Sequence, residues 1–302
     1  MNLDFFKQTR ILDGGMGQEL LARGMDPTGT LWSAKALIEP KYHQLIEDIH
    51  RDFIKAGAEV IVTATFTARR IRLRENGLED QFENLNITAG KIAQNVKKDF
   101  PNIYVAGGLP PQYLTYEVDT RSNDEIYQSY NEQAKILNPY VDFFYLDVLS
   151  SVNEIKIAID AIKEFEKPYL IGAHISEGTR LPSGEKITEI IENIKHEKLL
   201  GLILACVSPE NYELNKNELK KLNIPYGFKI NGFETTKPNL GYTDAYKKSK
   251  SGNPNEFLGK RKDLGPENLK KISKLFKEDG ATILGGCCET RPAHIKEISS
   301  IR

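Results

Sequence analysis

Short, nearly unbroken apolar runs alternate along the whole chain with longer stretches in which apolar residues recur every three or four positions. That is the pattern of repeated strand–helix units around a parallel sheet, whose strands are covered on both faces while each returning helix is covered on one. Eight runs qualify as strands: Arg10–Leu12, Glu59–Thr63, Ile103–Ala106, Phe143–Leu146, Tyr169–Ala173, Gly201–Ala205, Tyr226–Ile230 and Thr282–Leu284. Eight favours a closed barrel over an open sheet. The expected fold is therefore α/β, a (β/α)8 TIM barrel occupying residues 1–302 as a single domain.

Between the runs, Pro40–Ala56 carries Leu45, Ile49, Phe53 and Ile54 at helical spacing, and Asn123–Leu137 opens with an Asn or Asp suited to cap a helix. Pro292–Ile301 has the length of one last helix. Glu234–Lys262 is polar and rich in Lys, Gly, Asn and Tyr; it reads as a long loop after the seventh strand, with an interdomain linker as the alternative.

In such a barrel the C-terminal strand ends and the loops after them share one pocket, so position relative to each run becomes a functional argument. Those ends supply Asp13-Gly14-Gly15, Thr63-Ala64-Thr65-Phe66, Gly107-Gly108, Asp147, His174, Cys206, Lys229 with Asn231, and Gly286-Cys287-Cys288.

Composition narrows the partners. The chain has 302 residues, 40% of them hydrophobic, and 41 Lys+Arg against 42 Asp+Glu, a formal charge of −1. That balance gives no global electrostatic footprint for nucleic acid or an anionic membrane, so a small molecule is the default partner. No run approaches a membrane span, and Met1–Lys7 lacks the basic and apolar parts of a signal peptide, which predicts a cytoplasmic protein. Three cysteines, an odd number, argue against a disulfide framework and for thiols kept for chemistry.

All three cysteines fall at strand ends, Cys206 on the sixth and Cys287 and Cys288 on the eighth, about 80 residues apart. Three thiolates make a soft site suited to Zn²⁺ and leave the fourth tetrahedral position open for a substrate, as catalytic zinc requires. Cys206 alone, at the end of Leu202-Ile203-Leu204-Ala205, also reads as a small buried hydrophobe. The adjacent pair favours metal, because Gly285-Gly286 removes side chains where the backbone must bend to aim two neighbouring sulfurs at one ion. A vicinal disulfide would be strained.

These residues resemble the homocysteine S-methyltransferases, a family whose barrel carries Gly-Gly-Cys-Cys on its last strand and a further Cys on the sixth. The similarity spans nearly the whole chain. Ile11-Leu12-Asp13-Gly14-Gly15 resembles the family's opening Leu-Asp-Gly, and Leu31-Trp32-Ser33-Ala34-Lys35 is similar to a segment of its S-methylmethionine-using members. Ala56-Gly57-Ala58 followed by Thr63–Phe66 also matches, and the most specific match is Gly285 to Ile295. The resemblance implies zinc on Cys206, Cys287 and Cys288 and methyl transfer to the thiol of homocysteine, forming methionine. It further implies that Asp13, and Asp147 where the family usually has Glu, hold the homocysteine ammonium. Gly14 and Gly15 would let the backbone approach the amino acid, with Thr63 and Asn231 beside it. Trp32, the only tryptophan, is either a packing residue or the aromatic face that meets a cationic donor.

Departures from the family bear on the donor. Ala205 stands where Asn usually precedes the sixth-strand Cys, and the usual Tyr-Pro-Asn-Ser-Gly-Glu appears as Lys229-Ile230-Asn231-Gly232-Phe233-Glu234. Lys229 thus brings a cation near the pocket, free to pair with a donor carboxylate or to reach solvent. His174 raises the same question of role. S-methylmethionine is the favoured donor; betaine, dimethylsulfoniopropionate and S-adenosylmethionine are alternatives, as is a non-catalytic amino-acid-binding relative. The chain ends 14 residues after Cys288, without the C-terminal arm of betaine-using relatives, so a monomer or loose homodimer is expected.

Overall fold

The computed structural model describes residues 1–27, 29–236 and 255–302. Eight parallel strands, β1 (Arg10–Ile11), β2 (Val60–Val62), β3 (Tyr104–Leu109), β4 (Phe143–Leu149), β5 (Tyr169–Ala173), β6 (Leu199–Val207), β7 (Tyr226–Ile230) and β8 (Ile283–Gly286), lie in the order β1-β8-β7-β6-β5-β4-β3-β2. A bridge between Leu12 and Val60 joins the two ends, so the sheet is a barrel, as the eight apolar runs predicted. Side chains alternate across each strand. Phe143 and Tyr145 of β4 turn into the barrel with Leu170, Ile203 and Ile283, while Phe144 and Leu146 face the helices. Phe6, on a short turn before β1, closes the lower end of the barrel edge-to-face against Phe143.

The helices form for local reasons. His43–Lys55 buries Ile46, Ile49 and Phe53, one stripe at three- and four-residue spacing. Asn123–Leu137 is capped by Ser122, one residue before the expected Asn or Asp: the Ser122 hydroxyl accepts from the Glu125 N–H and the Glu125 carboxylate accepts from the Ser122 N–H. Ser151 and Ser208 cap the helices Val152–Ile162 and Pro209–Leu219 directly after β4 and β6. The last helix runs Pro292–Ser299. Of the expected loop 234–262, residues 237–254 lie outside the described residues. Its two described ends meet where the Glu234 and Thr235 N–H groups donate to the Leu258 carbonyl, and Arg261 N–H donates to Gly232.

Candidate functional site

At the C-terminal end of the barrel, a cavity is lined by residues from both ends of the chain, among them Asp13, Gly14, Gly15, Trp32, Thr63, Asp147, Lys229 and the three cysteines.

The backbone is bent deliberately at the strand ends that reach it. Pairing between β6 and β7 slips between Ala205 and Val207, and Cys206 takes a left-handed φ of 54°. The β4–β5 register shifts likewise between Leu146 and Leu149, with Val148 at φ 66°. A non-glycine residue held there costs about 1–3 kcal/mol, and such bulges re-aim side chains beside active sites. The bulges fall on the cysteine of β6 and beside Asp147 of β4.

Cys287 and Cys288 follow β8 on a turn fixed by the Cys287 N–H to Ile230 carbonyl bond (2.7 Å) and by Gly232 N–H donating to Cys288 (2.9 Å). Gly286 is required there, since a Cβ would sit 2.0 Å from the Thr290 hydroxyl. Gly14 and Gly15 serve the same turn: a Cβ on Gly14 would lie 2.4 Å from the Thr290 carbonyl oxygen, and one on Gly15 would lie 2.6 Å from that of Cys287. Their close approach is to the cysteine turn itself.

The three sulfurs lie within 4.8 Å of one another, with Cys287 and Cys288 4.0 Å apart. A tetrahedral zinc–thiolate site, with Zn–S of about 2.3 Å, spaces its sulfurs by roughly 3.8 Å, so the trio fits a metal after small side-chain adjustments. Burial raises the Cys206 thiol, but hydrogen bonds from Cys287, Cys288 and Tyr116 outweigh it and hold it well below the ordinary thiol range. Those same contacts with Cys206 push the thiols of Cys287 and Cys288 well up.

Tyr116 has no counterpart among the residues expected from sequence. It sits in the loop after β3, its hydroxyl 3.1 Å from Cys206 Sγ, and its ring stacks on His174 at 4.5 Å between centroids. His174 is buried; its Nδ1–H donates to the Ala205 carbonyl at 3.1 Å, and Nε2 lies 2.8 Å from the Ser176 hydroxyl, which reaches the Thr236 carbonyl at 2.9 Å. Burial pushes its pKa down to about 4, so it is neutral and supports Tyr116 from outside the cavity wall.

The charged residues also find partners. Asp13 Oδ2 accepts from the Val62 N–H at 2.7 Å and Oδ1 from the Lys229 ammonium at 2.8 Å, both residues buried. Lys229 therefore turns inward. Asp147 Oδ1 is buried without a hydrogen-bond partner, and burial pushes this carboxyl up to about 7 against the pull of the Lys229 ammonium. Thr63 lines the cavity and its hydroxyl accepts from the Gly108 N–H at 3.0 Å. Asn231 does not line it. Its amide donates to the Cys206 carbonyl at 2.6 Å and accepts from the Phe233 N–H at 2.9 Å, so it ties down the backbone behind the cluster. Trp32 also lines the cavity, at φ 38°, with its indole against Gly17 and its Nε1 unpartnered.

A family model described as homocysteine S-methyltransferase matches residues 10–301. The chain is 26% identical over 316 residues to homocysteine S-methyltransferase YbgG of Bacillus subtilis (strain 168), covering 96% of this chain and 93% of that protein. It is 26% identical over 314 residues to homocysteine S-methyltransferase 1 of Saccharomyces cerevisiae, with the same coverage. Its fold is similar to that of the homocysteine methyltransferase MmuM from Escherichia coli in the metallated form, with a TM-score of 0.81 at 21% identity over 100% of both chains.

Proposed function

The chain belongs to the homocysteine S-methyltransferase family, and from that premise we propose that it moves a methyl group from S-methylmethionine to the thiol of L-homocysteine, with zinc on Cys206, Cys287 and Cys288. The zinc assignment is carried by the convergence of three sulfurs within 4.8 Å at the wall of the cavity. That the relative MmuM is described in a metallated form supports it. Zinc held by Cys206, Cys287 and Cys288 would supply the Lewis acidity that favours the thiolate form of an acceptor thiol near neutral pH.

The protein's own groups divide the remaining work. Tyr116 and Asn231 hold Cys206 by its sulfur and its carbonyl. Asp147 and Asp13 make their part of the cavity select an ammonium-bearing acceptor. Thr63 and the close-packed Gly14-Gly15 turn complete that wall. In the same cavity, the Trp32 face would attract a sulfonium donor by roughly 0.5–2 kcal/mol. The similarity of Leu31–Lys35 to S-methylmethionine-using members favours that donor. The same reading makes the protein a cytoplasmic enzyme of methionine formation, acting as a monomer or loose homodimer.

The test is zinc content together with methionine formation from homocysteine and each of S-methylmethionine, betaine, dimethylsulfoniopropionate and S-adenosylmethionine. Wild type is expected to hold one zinc and to turn over fastest with S-methylmethionine, and Cys287→Ser to lose both. Another donor preferred tenfold would replace S-methylmethionine. A reduced, zinc-supplied wild type that neither holds metal nor turns over would leave a binding protein.

A further inference from the structure

Lys229 is the fourth residue of β7, on the face that turns into the barrel, and it is 5% exposed. A lysine in that place is costly, since an ammonium withdrawn from water must recover its hydration from protein partners. It recovers little. Among the described residues the Asp13 carboxylate is its one hydrogen-bond acceptor, at 2.8 Å, and the Tyr145 ring lies 5.7 Å away. An ammonium carries three N–H donors, so two remain uncommitted at the wall of the cavity.

A purely structural ion pair explains this poorly. Strands β1 and β7 are already joined through β8, which pairs with both. Moreover, a buried ion pair is often no more stabilising than apolar residues of the same volume. Asp13, for its part, has both oxygens engaged, by Lys229 and by the Val62 N–H. Asp147 lines the same cavity as a half-buried side chain, its Oδ1 turned into the barrel beside the Tyr145 hydroxyl. The cavity therefore presents two open N–H donors on a cation and a second carboxylate, beside three sulfurs. That is the complement of an α-amino acid whose side chain ends in a thiol.

We propose that Lys229 is the specificity-determining residue for the acceptor's carboxylate, held in place by Asp13, while Asp147 takes the acceptor's ammonium. The assignment rests on the homocysteine-methylating function above and deepens it. Asp13 thereby changes role, from a direct ammonium receptor to the group that positions Lys229.

The test compares L-homocysteine with 3-aminopropane-1-thiol, which keeps the thiol and the amine and lacks the carboxylate, in the zinc-loaded enzyme with its best donor. Wild type should prefer homocysteine in kcat/KM by about 10- to 100-fold, the range expected for hydrogen bonds to a charged group. In Lys229→Met the homocysteine KM should rise by a similar factor with kcat changed less, 3-aminopropane-1-thiol should be nearly unaffected, and Lys229→Arg should recover part of the preference. Calorimetric binding of the two thiols should give the same ratios without turnover. Asp13→Asn/Lys229→Met removes both charges together and serves where the single variant leaves Asp13 unpaired and the fold weakened. A wild type that treats the two thiols alike, or variants that lose both to the same extent, would overturn the assignment. A wild type that methylates neither thiol with any donor would instead overturn the underlying function.

Discussion

Cys206 concentrates the local costs of the site: a left-handed backbone, a buried sulfur and a register slip in β6. Its neighbours answer those costs one atom at a time. Asn231 holds the carbonyl, and the Tyr116 hydroxyl holds the sulfur at 3.1 Å. A group that hydrogen-bonds a metal-binding side chain typically changes metal affinity 10- to 100-fold. Tyr116→Phe keeps the ring that stacks on His174 and removes only the hydroxyl. Zinc affinity measured by chelator competition should therefore fall by about tenfold, with the thermal midpoint of the metal-free protein nearly unchanged. Equal zinc affinity in the two proteins would reduce Tyr116 to a packing residue.

The loop after β4 is anchored by the helix that follows it. Glu154, in the first turn of Val152–Ile162, is buried; Oε1 accepts from the Tyr130 hydroxyl at 2.8 Å and Oε2 from the Ser150 N–H at 3.2 Å. Burial pushes its carboxyl from 4.5 up to about 7. Between those values the folded protein keeps a proton that the unfolded chain releases. The stability linked to Glu154 is thus fully present below about pH 4.5 and is lost as pH rises through about 7. His50 and His174, both pushed down to about 4 by burial, act in the opposite sense over part of this range, so only a difference isolates the glutamate. The wild-type minus Glu154→Gln unfolding free energy, from urea titrations, should fall by about 2–3 kcal/mol between pH 5 and 8. A pH-independent difference would mean that Glu154 ionises normally. The elements themselves were legible in the sequence. Strands buried on both faces leave continuous apolar runs, and all eight lie within two residues of where those runs begin. Helix starts were legible only approximately, because Ser122, Asn123 and Asp124 are all competent caps and the choice falls to the reciprocal bond with Glu125. The convergence of the cysteines could be foreseen from strand ends alone. The inward turn of Lys229 could not, since its partner lies 216 residues away, and neither could Tyr116, whose place depends on a loop with no periodic signal.

At the scale of the molecule, the barrel is joined at a narrow seam. Strand β1 is two residues long, and its link to β2 rests on the Leu12–Val60 bridge, the Glu59 N–H to Ile11 carbonyl bond at 2.8 Å and the Asp13 N–H to Val60 carbonyl bond at 3.1 Å. The Asp13 side chain adds a further bond to Val62 across the same seam, so one residue both closes the barrel and holds Lys229. Among the described residues no helix is long and apolar enough to cross a membrane. The cysteine cluster draws on β6 and β8, with β7 between them, so a metal bound there is linked to the unfolding of the barrel as a whole. If residues 1–302 form one domain, zinc should raise the midpoint of the entire thermal transition. At free zinc a thousandfold above Kd the stabilisation is about 4 kcal/mol, a shift of several degrees for a chain of this size. Cys287→Ser should abolish the shift. Scanning calorimetry that resolved one zinc-sensitive and one zinc-insensitive step would instead divide the chain into two independently folding units, with the metal stabilising only one of them.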